Sequence, residues 1–277
     1  MNETLPISVM MSTYSKVEPV WLRDAIFSLV CQILPPNEII IIIDGPVSNL
    51  QHEILNSFKN NNKIIKFKLI ESEVNSGLAA SMNIALQQVS NIWVARMDSD
   101  DICRNDRFKI QYQTAIENEA DVICSWHSEF LEDVSLIHAI KKTPNMNSQI
   151  LRQLNYRNVI SHPTILMRTD LLKKIGGYDA SVGFLEDYDL YLKLAASGAI
   201  FYAIQEPLVF VRVSKDQIAR RGGFNYLLKE LSFRWFALLK GYITLQGFFV
   251  GVTIYPIFRL LPVWLKFWLY KLVRSSA

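Results

Sequence analysis

The chain has 277 residues, half of them apolar and 20% charged, with a formal net charge of +3. That composition suits one substantial core and excludes a disordered chain. The small charge, with no Lys/Arg run in the first two hundred residues, argues against nucleic acid as a partner.

Short β-rich runs alternate with helical patterns through about the first 130 residues, as expected of βαβ units. Strands are predicted at 7–11, 38–43, 64–70, 92–97 and 121–126. Leu22, Ala25, Ile26, Leu29, Val30 and Ile33 recur at helical spacing after the first strand, and 78–89 forms a second helix. The pattern is α/β, doubly wound, with a mainly parallel central sheet. Ile39 to Ile43 are five consecutive isoleucines, which suits a strand buried on both faces. A second half, 131–223, brings a helix, a strand at 164–168, a turn at Gly176-Gly177, a helix from about 186 and a closing strand near 207–213. From 224 to 277 the composition turns to long apolar and aromatic stretches. Cys31, Cys103 and Cys124 are too scattered for a zinc pair and too few for a disulfide framework, so they read as buried thiols in a reducing compartment. The chain enters its first strand without a secretory signal pattern, and a cytosolic location is expected.

In open α/β sheets ligands sit beyond the carboxyl ends of the strands. Three polar clusters fall there: Ser12-Thr13-Tyr14, Asp44-Gly45 and Asp98-Ser99-Asp100-Asp101. Three carboxylates in four residues repel one another unless a cation compensates. Mg2+ or Mn2+ takes one or two protein carboxylates and completes its shell with water and phosphate, so a nucleotide diphosphate would fit such a site. The competing reading is that these acids cap the next helix. The chain has neither a Gly-x-x-x-x-Gly-Lys loop nor a Gly-x-Gly-x-x-Gly turn, so a phosphate ligand would need a metal rather than a glycine cradle.

Taken in order, Ile7 to Tyr14, Asp44-Gly45, Asn75-Ser76-Gly77-Leu78 with Asn83, Met97 to Asp101, Gly176-Gly177-Tyr178 and Glu186-Asp187-Tyr188-Asp189-Leu190 resemble a glycosyltransferase of family 2, of the bacterial surface-polysaccharide type. The resemblance covers the chain to about residue 215 and implies a GT-A fold over 1–223, with 1–130 binding a nucleotide sugar and 131–223 the acceptor. It implies that Thr13, Tyr14 and Asp44 hold the nucleobase, usually uracil. Asp98 would face the ribose, and Asp100, with Asp98, the metal and diphosphate. Asn75 and Gly77 join this donor set, with a plain turn as the competing reading. Two departures stand out. Ile43-Asp44 replaces the usual pair of aspartates, and Met82 stands where an arginine often precedes Asn83, which leaves the donor sugar open.

Displacing a nucleotide diphosphate with inversion requires one base for the attacking hydroxyl, and the metal stabilises the leaving group. The resemblance assigns the base to Asp187, with Glu186 as a neighbouring acceptor contact. Without it, an acidic pair in a first helical turn reads as dipole compensation. His162, in Ser161-His162-Pro163-Thr164, is a candidate phosphate or acceptor contact or a plain loop residue. Arg212, Arg220 and Arg221 flank Ser214 to Gln217, either a loop closing over the diphosphate or a solvated surface loop.

The run 243–258 is too short and interrupted to span a bilayer, which takes about 20 apolar residues. Between Ile257 and Arg274 the cations Arg259, Lys266, Lys271 and Arg274 lie opposite Leu260, Leu261, Trp264, Leu265, Trp268 and Leu272 on a helical wheel. That pattern predicts an amphipathic helix on the cytoplasmic face of the plasma membrane, against a pair of packed helices as alternative. A membrane location points to a lipid-linked saccharide acceptor. Arg234-Trp235 matches part of the processive Gln-x-x-Arg-Trp signature, but Leu231 replaces its glutamine, so addition of one sugar is expected. Rival readings are a membrane-tethered nucleotide-binding protein and a haloacid-dehalogenase-type phosphatase. The phosphatase would carry its Asp-x-Asp on the first strand, not after the fourth.

Overall fold

The structure is a computed structural model that describes residues 4–213 and 224–260. One sheet of nine strands organises them. Its first part consists of β1 (Leu5–Thr13), β2 (Pro36–Asp44), β3 (Lys66–Ser72) and β4 (Trp93–Arg96), paired in parallel in the order β3-β2-β1-β4. The isoleucine run of β2 divides between two cores, as a strand covered on both faces must. Ile40 and Ile42 face one core with Met10, and Ile39, Ile41 and Ile43 face the other with Val9 and Met11. Helices α1 (Pro19–Val30), α2 (Asn49–Asn61) and α3 (Leu78–Gln88) connect these strands.

Beyond β4 the sheet departs from the mainly parallel expectation. β5 (Ile102–Cys103), β6 (Val122–Phe130), β7 (Ile137–Lys141), β8 (Leu166–Arg168) and β9 (Phe201–Arg212) extend it as β4-β8-β6-β9-β5, with β7 beside β6. Only β6 and β9 pair in parallel there; β8 runs antiparallel to both β4 and β6, and β5 and β7 are antiparallel to their partners. The reason lies in the connection. The chain reaches β8 through a 3-10 turn, His162–Thr164, at the carboxyl edge of the parallel strands, so a strand starting there runs back.

Helix α2 escapes sequence reading because it buries only Gln51 and Leu55, a thin apolar stripe; its capping box of Ser48 and Gln51 marks its start. Helix α4 (Arg107–Glu117) hides for a related reason: of its four buried residues only Phe108 and Ala115 are apolar, the other two being Arg107 and Gln111. The two-residue β5 and the exposed β7 lack any apolar alternation to read.

The second half adds α5 (Asn147–Leu154), α6 (Thr169–Lys174) and α7 (Glu186–Ala196). It is fastened to the first through α3. The Asn83 amide donates to the Tyr178 carbonyl at 2.8 Å and accepts from the Tyr178 N–H at 2.8 Å, pairing both backbone groups of that residue. Gly177 permits this approach, since its φ is +72° and an added Cβ would lie 2.5 Å from the Asn83 oxygen.

Two further helices follow, α8 (Phe224–Leu239) and α9 (Leu245–Leu260). They form a hairpin packed on the second half: Phe233, Ala237 and Ile243 join the core shared with α5 and α7. Gly247 lies against the Asn155 carbonyl, where a Cβ would be 2.3 Å away. So the packed-helix alternative holds for this stretch. No described helix is long and apolar enough to cross a membrane. The amphipathic pattern that ends at Arg274 lies almost wholly outside the described residues.

Replacing Asn83 with alanine leaves the N–H and C=O of Tyr178 without their partner, and a loss of about 1–3 kcal/mol of unfolding free energy is expected. Urea denaturation measures it. An unchanged midpoint would show that the two halves are held together elsewhere.

Candidate active site

The parallel ends of β1, β2 and β4 put Thr13, Asp44 and the segment from Asp98 to Asp101 on one edge of the sheet. Asp98, Asp100 and Asp101 offer carboxylate oxygens that all lie within 4.8 Å of one another. The cluster is organised by a residue that sequence reading passed over, Arg96. Its two terminal nitrogens both donate to the Asp98 carboxylate, and the guanidinium is 2% exposed. Arg96 closes β4 and Asp98 follows it by two residues, so the pairing is local in sequence but is not marked by any strand period.

Burial, and then the Asp98 charge, pushes Asp100 up to about 6. Asp101 is driven well above the carboxylate range by burial and by both neighbouring acids. One Asp101 oxygen accepts the Arg212 N–H at 2.9 Å, while the other is buried without a partner among the described residues. An orphaned buried oxygen beside two crowded carboxylates is a donor set that a hard divalent cation fits. With both Asp98 oxygens on Arg96, Asp100 is the carboxylate best placed to anchor it.

Arg212 lies beside this cluster as a brace. Its Nε donates to the Asp100 carbonyl at 3.2 Å and Nη1 to the carbonyls of Leu131 and Glu132, each at 3.3 Å. Its guanidinium stacks 4.8 Å from the Trp21 ring centre and 4.5 Å from that of Phe130. The stretch from Ser214 to Arg221 lies outside the described residues.

Asp44, Asn75 and Gly77 form a second cluster. The Asp44 oxygens accept the N–H groups of Ser76 at 2.8 Å and Gly77 at 3.0 Å, and the Asn75 amide donates to the Asp44 carbonyl at 3.0 Å. Asp44 therefore fixes the turn that opens α3. Gly77, the residue before that helix, needs its φ of +87°. Gly45 likewise cannot carry a Cβ, which would fall 2.9 Å from the Asn75 nitrogen. Thr13 is buried, and its hydroxyl has no partner among the described residues. The Tyr14 carbonyl is held by the Val17 N–H and the Gln51 amide, both at 3.1 Å.

Opposite the donor cluster, α7 opens with Glu186 and Asp187. Burial, then the Asp187 charge, raises Glu186 to about 7, with Asp98 contributing and Arg96 opposing. The acidic pair thus shares one electrostatic environment with the aspartates after β4. Asp187 accepts the Asn158 amide at 2.8 Å and the Tyr188 N–H at 2.7 Å. His162 is buried beneath; its Nε2 lies 2.9 Å from the Tyr178 hydroxyl, and burial and the nearby Arg96 hold it well below the usual histidine range. In the structure it is a buried hydrogen-bond partner of Tyr178.

A family model described as glycosyl transferase family 2 matches residues 8–176. The chain is 33% identical over 273 residues to the UDP-Gal:alpha-D-GlcNAc-diphosphoundecaprenol beta-1,3-galactosyltransferase of Escherichia coli, covering 98% of each protein. Among solved structures, S. aureus TarS 1-349 in complex with UDP-GlcNAc superposes with a TM-score of 0.65 at 18% identity, over 83% of this chain and 66% of that one. Another S. aureus TarS structure gives a TM-score of 0.60 at 20% identity, over 84% of this chain and 43% of that one. The mannosyltransferase PcManGT of Pyrobaculum calidifontis, in complex with GDP-Man and Mn2+, gives 0.59 at 14% identity, over 82% of this chain and 61% of that one. These structural likenesses establish the fold.

An Asp100 held at about 6 must lose its proton to bind a cation. Mn2+ affinity is therefore expected to fall about tenfold per pH unit below pH about 6 and to level off above about 7. For the metal-free protein the sign is opposite: the folded state holds this proton more tightly than the unfolded chain, so the group's contribution weakens as pH rises from 3.8 towards 6. Calorimetric titration with Mn2+ across this range tests the first statement, and a pH-independent affinity would remove Asp100 from the site.

Proposed function

Since the chain belongs to glycosyltransferase family 2 and is a glycosyltransferase, we propose that it moves one sugar, with inversion, from a UDP-sugar to a lipid-linked saccharide during bacterial surface polysaccharide synthesis. The observation that carries this is the placing of two acidic groups in one electrostatic environment, Asp98 with Asp100 after β4 and Glu186 with Asp187 at the start of α7. The first suits a cation and diphosphate, the second an acceptor hydroxyl. The likeness to an enzyme that is named for a UDP-Gal donor and a diphosphoundecaprenol-linked acceptor supports both substrate classes.

In this reading Thr13, Tyr14 and Asp44, with Asn75 and Gly77, form the nucleotide end of the donor pocket. Asp98 meets the ribose, and Asp100, assisted by Asp98, holds Mn2+ or Mg2+. The ion would supply electrostatic stabilisation for the departing diphosphate. Asp187 takes the proton of the acceptor hydroxyl as its oxygen bonds to the anomeric carbon and the bond from that carbon to the diphosphate breaks. Arg212 acts from behind, keeping the Asp100 loop in place. The sugar-binding halves 1–130 and 131–223 then meet across one continuous sheet.

Membrane attachment by the region 224–277 is part of the same proposal. Leu228, Trp235, Leu239, Leu245 and Phe249 of the hairpin are exposed, and no acidic residue follows Glu230 in the sequence while five cations besides the buried Arg234 do. Such a surface suits an anionic cytoplasmic leaflet. Because α9 packs on the second half, a cut at 241 would strip part of the core; removal of 261–277 leaves that packing in place. Flotation with anionic vesicles is expected to recover the full chain and much less of the shortened one, and equal recovery would take the last residues out of membrane binding.

The transfer itself is tested with purified protein, UDP-sugars, Mn2+ and polyprenyl-diphosphate-linked saccharides, reading UDP release and product mass. Asp187→Asn is expected to lower kcat by about 10²–10⁴ while UDP affinity holds. Glu186→Gln should cost much less. The reverse ranking would make Glu186, with its acidity near neutral, the base.

A further inference from the structure

A base works only if its carboxylate points at the hydroxyl it deprotonates, and Asp187 sits in the first turn of α7, where its side chain could rotate towards solvent or back onto the helix. Two hydrogen bonds settle its orientation. One is local, from the Tyr188 N–H to Oδ1 at 2.7 Å. The other comes from a different part of the chain: the Asn158 Nδ2 donates to Oδ2 at 2.8 Å. The amide's own orientation is fixed, because the Ile160 N–H donates to its oxygen at 3.0 Å, and an N–H can only face an acceptor. So the nitrogen is turned to the carboxylate.

The segment that carries Asn158 is itself pinned. Leu154, at the end of α5, accepts the Tyr188 hydroxyl through its carbonyl at 2.5 Å, and the Tyr188 ring packs 5.4 Å from that of Phe233 on α8. Asn155 exchanges hydrogen bonds with Thr244 through both its amide atoms, at 3.0 and 2.7 Å. The Tyr156 carbonyl accepts from Arg234 at 3.2 Å, and Arg234 is 2% exposed. The α8–α9 hairpin therefore grips residues 155 and 156, three and two positions ahead of Asn158.

We propose that Asn158 is the positioning residue of the transfer reaction, its amide holding the Asp187 carboxylate towards the acceptor, with the α8–α9 hairpin fixing the segment from which it reaches. This rests on Asp187 being the base. It gives the hairpin a catalytic consequence: Thr244 and Arg234 set the geometry of the proton acceptor through Asn155 and Tyr156.

Asn158→Asp decides the matter, because it keeps the shape and the oxygen that accepts from Ile160 while replacing the donor with a second acceptor. Its kcat is expected to fall about 10- to 100-fold, the usual loss when a group that orients a reacting side chain is removed. UDP affinity and the KM for acceptor should stay within about twofold, since neither substrate is held by Asn158. Asn158→Ala should show the same split, and Asn158→Ala combined with Asp187→Asn should be no slower than Asp187→Asn alone, because Asn158 acts only through that carboxylate. Unchanged kcat in Asn158→Asp, or losses that multiply in the double variant, would overturn the proposal. A fully active Asp187→Asn would instead remove the base on which it rests, so the two failures are separable. If Asn158→Ala does not fold, Asn158→Asp with its own Asp187→Asn combination supplies both readings.

Discussion

Mutual repulsion among the carboxylates that follow β4 is the constraint around which this molecule is built. Three aspartates within four residues could not remain packed at the end of an apolar strand without compensation, and Arg96 provides it from inside the sheet. A guanidinium suits this task because its planar fork pairs both oxygens of one carboxylate and stays charged when buried. Arg107, fully buried in the neighbouring helix, supports it by donating to the Arg96 carbonyl at 3.0 Å. The crowding that remains falls on Asp100 and Asp101, whose carboxyls it pushes upward and which a cation would relieve.

The rest of the architecture brings Glu186 and Asp187 near that cluster and keeps them there. Asn83 joins α3 to Tyr178, and Tyr178 touches His162 beneath Arg96. Both connections are made by polar groups with their partners satisfied, which specifies one arrangement more sharply than apolar contact alone. The neutral state of His162 follows from the same crowding, since burial and the adjacent cation both disfavour its charge.

Arg234 illustrates how a familiar pair of residues can serve structure. Its neighbour Trp235 lies exposed on α8, while Arg234 is buried, forms an ion pair with Glu230 at 3.1 Å and reaches the Tyr156 carbonyl. The Arg-Trp pair without its usual glutamine thus ties the hairpin to the segment beneath α7. The hairpin is a buttress of residues 155 and 156.

The sequence by itself determined the family, the strands β1 to β4 and β6, the two-faced burial of Ile39 to Ile43 and the acidic clusters at the strand ends, because each is a local pattern: a period, a run of apolar residues, or charges at short spacing. It also singled out Asp44, Asn75 and Gly77, with a turn as one reading of the last two, but not the hydrogen bonds by which the three hold one another. What only the tertiary structure decided depends on residues far apart in the chain. The mixed sheet follows from where β8 begins, the packing of α9 from glycines that let helices approach Asn155 and Arg234, and the fastening of Arg212 from carbonyls eighty and more residues away. Arg96 and Asn158 belong to the same class. A single charged or amide side chain has no periodicity to reveal it, and its role is created by the partner that folding brings within hydrogen-bond reach.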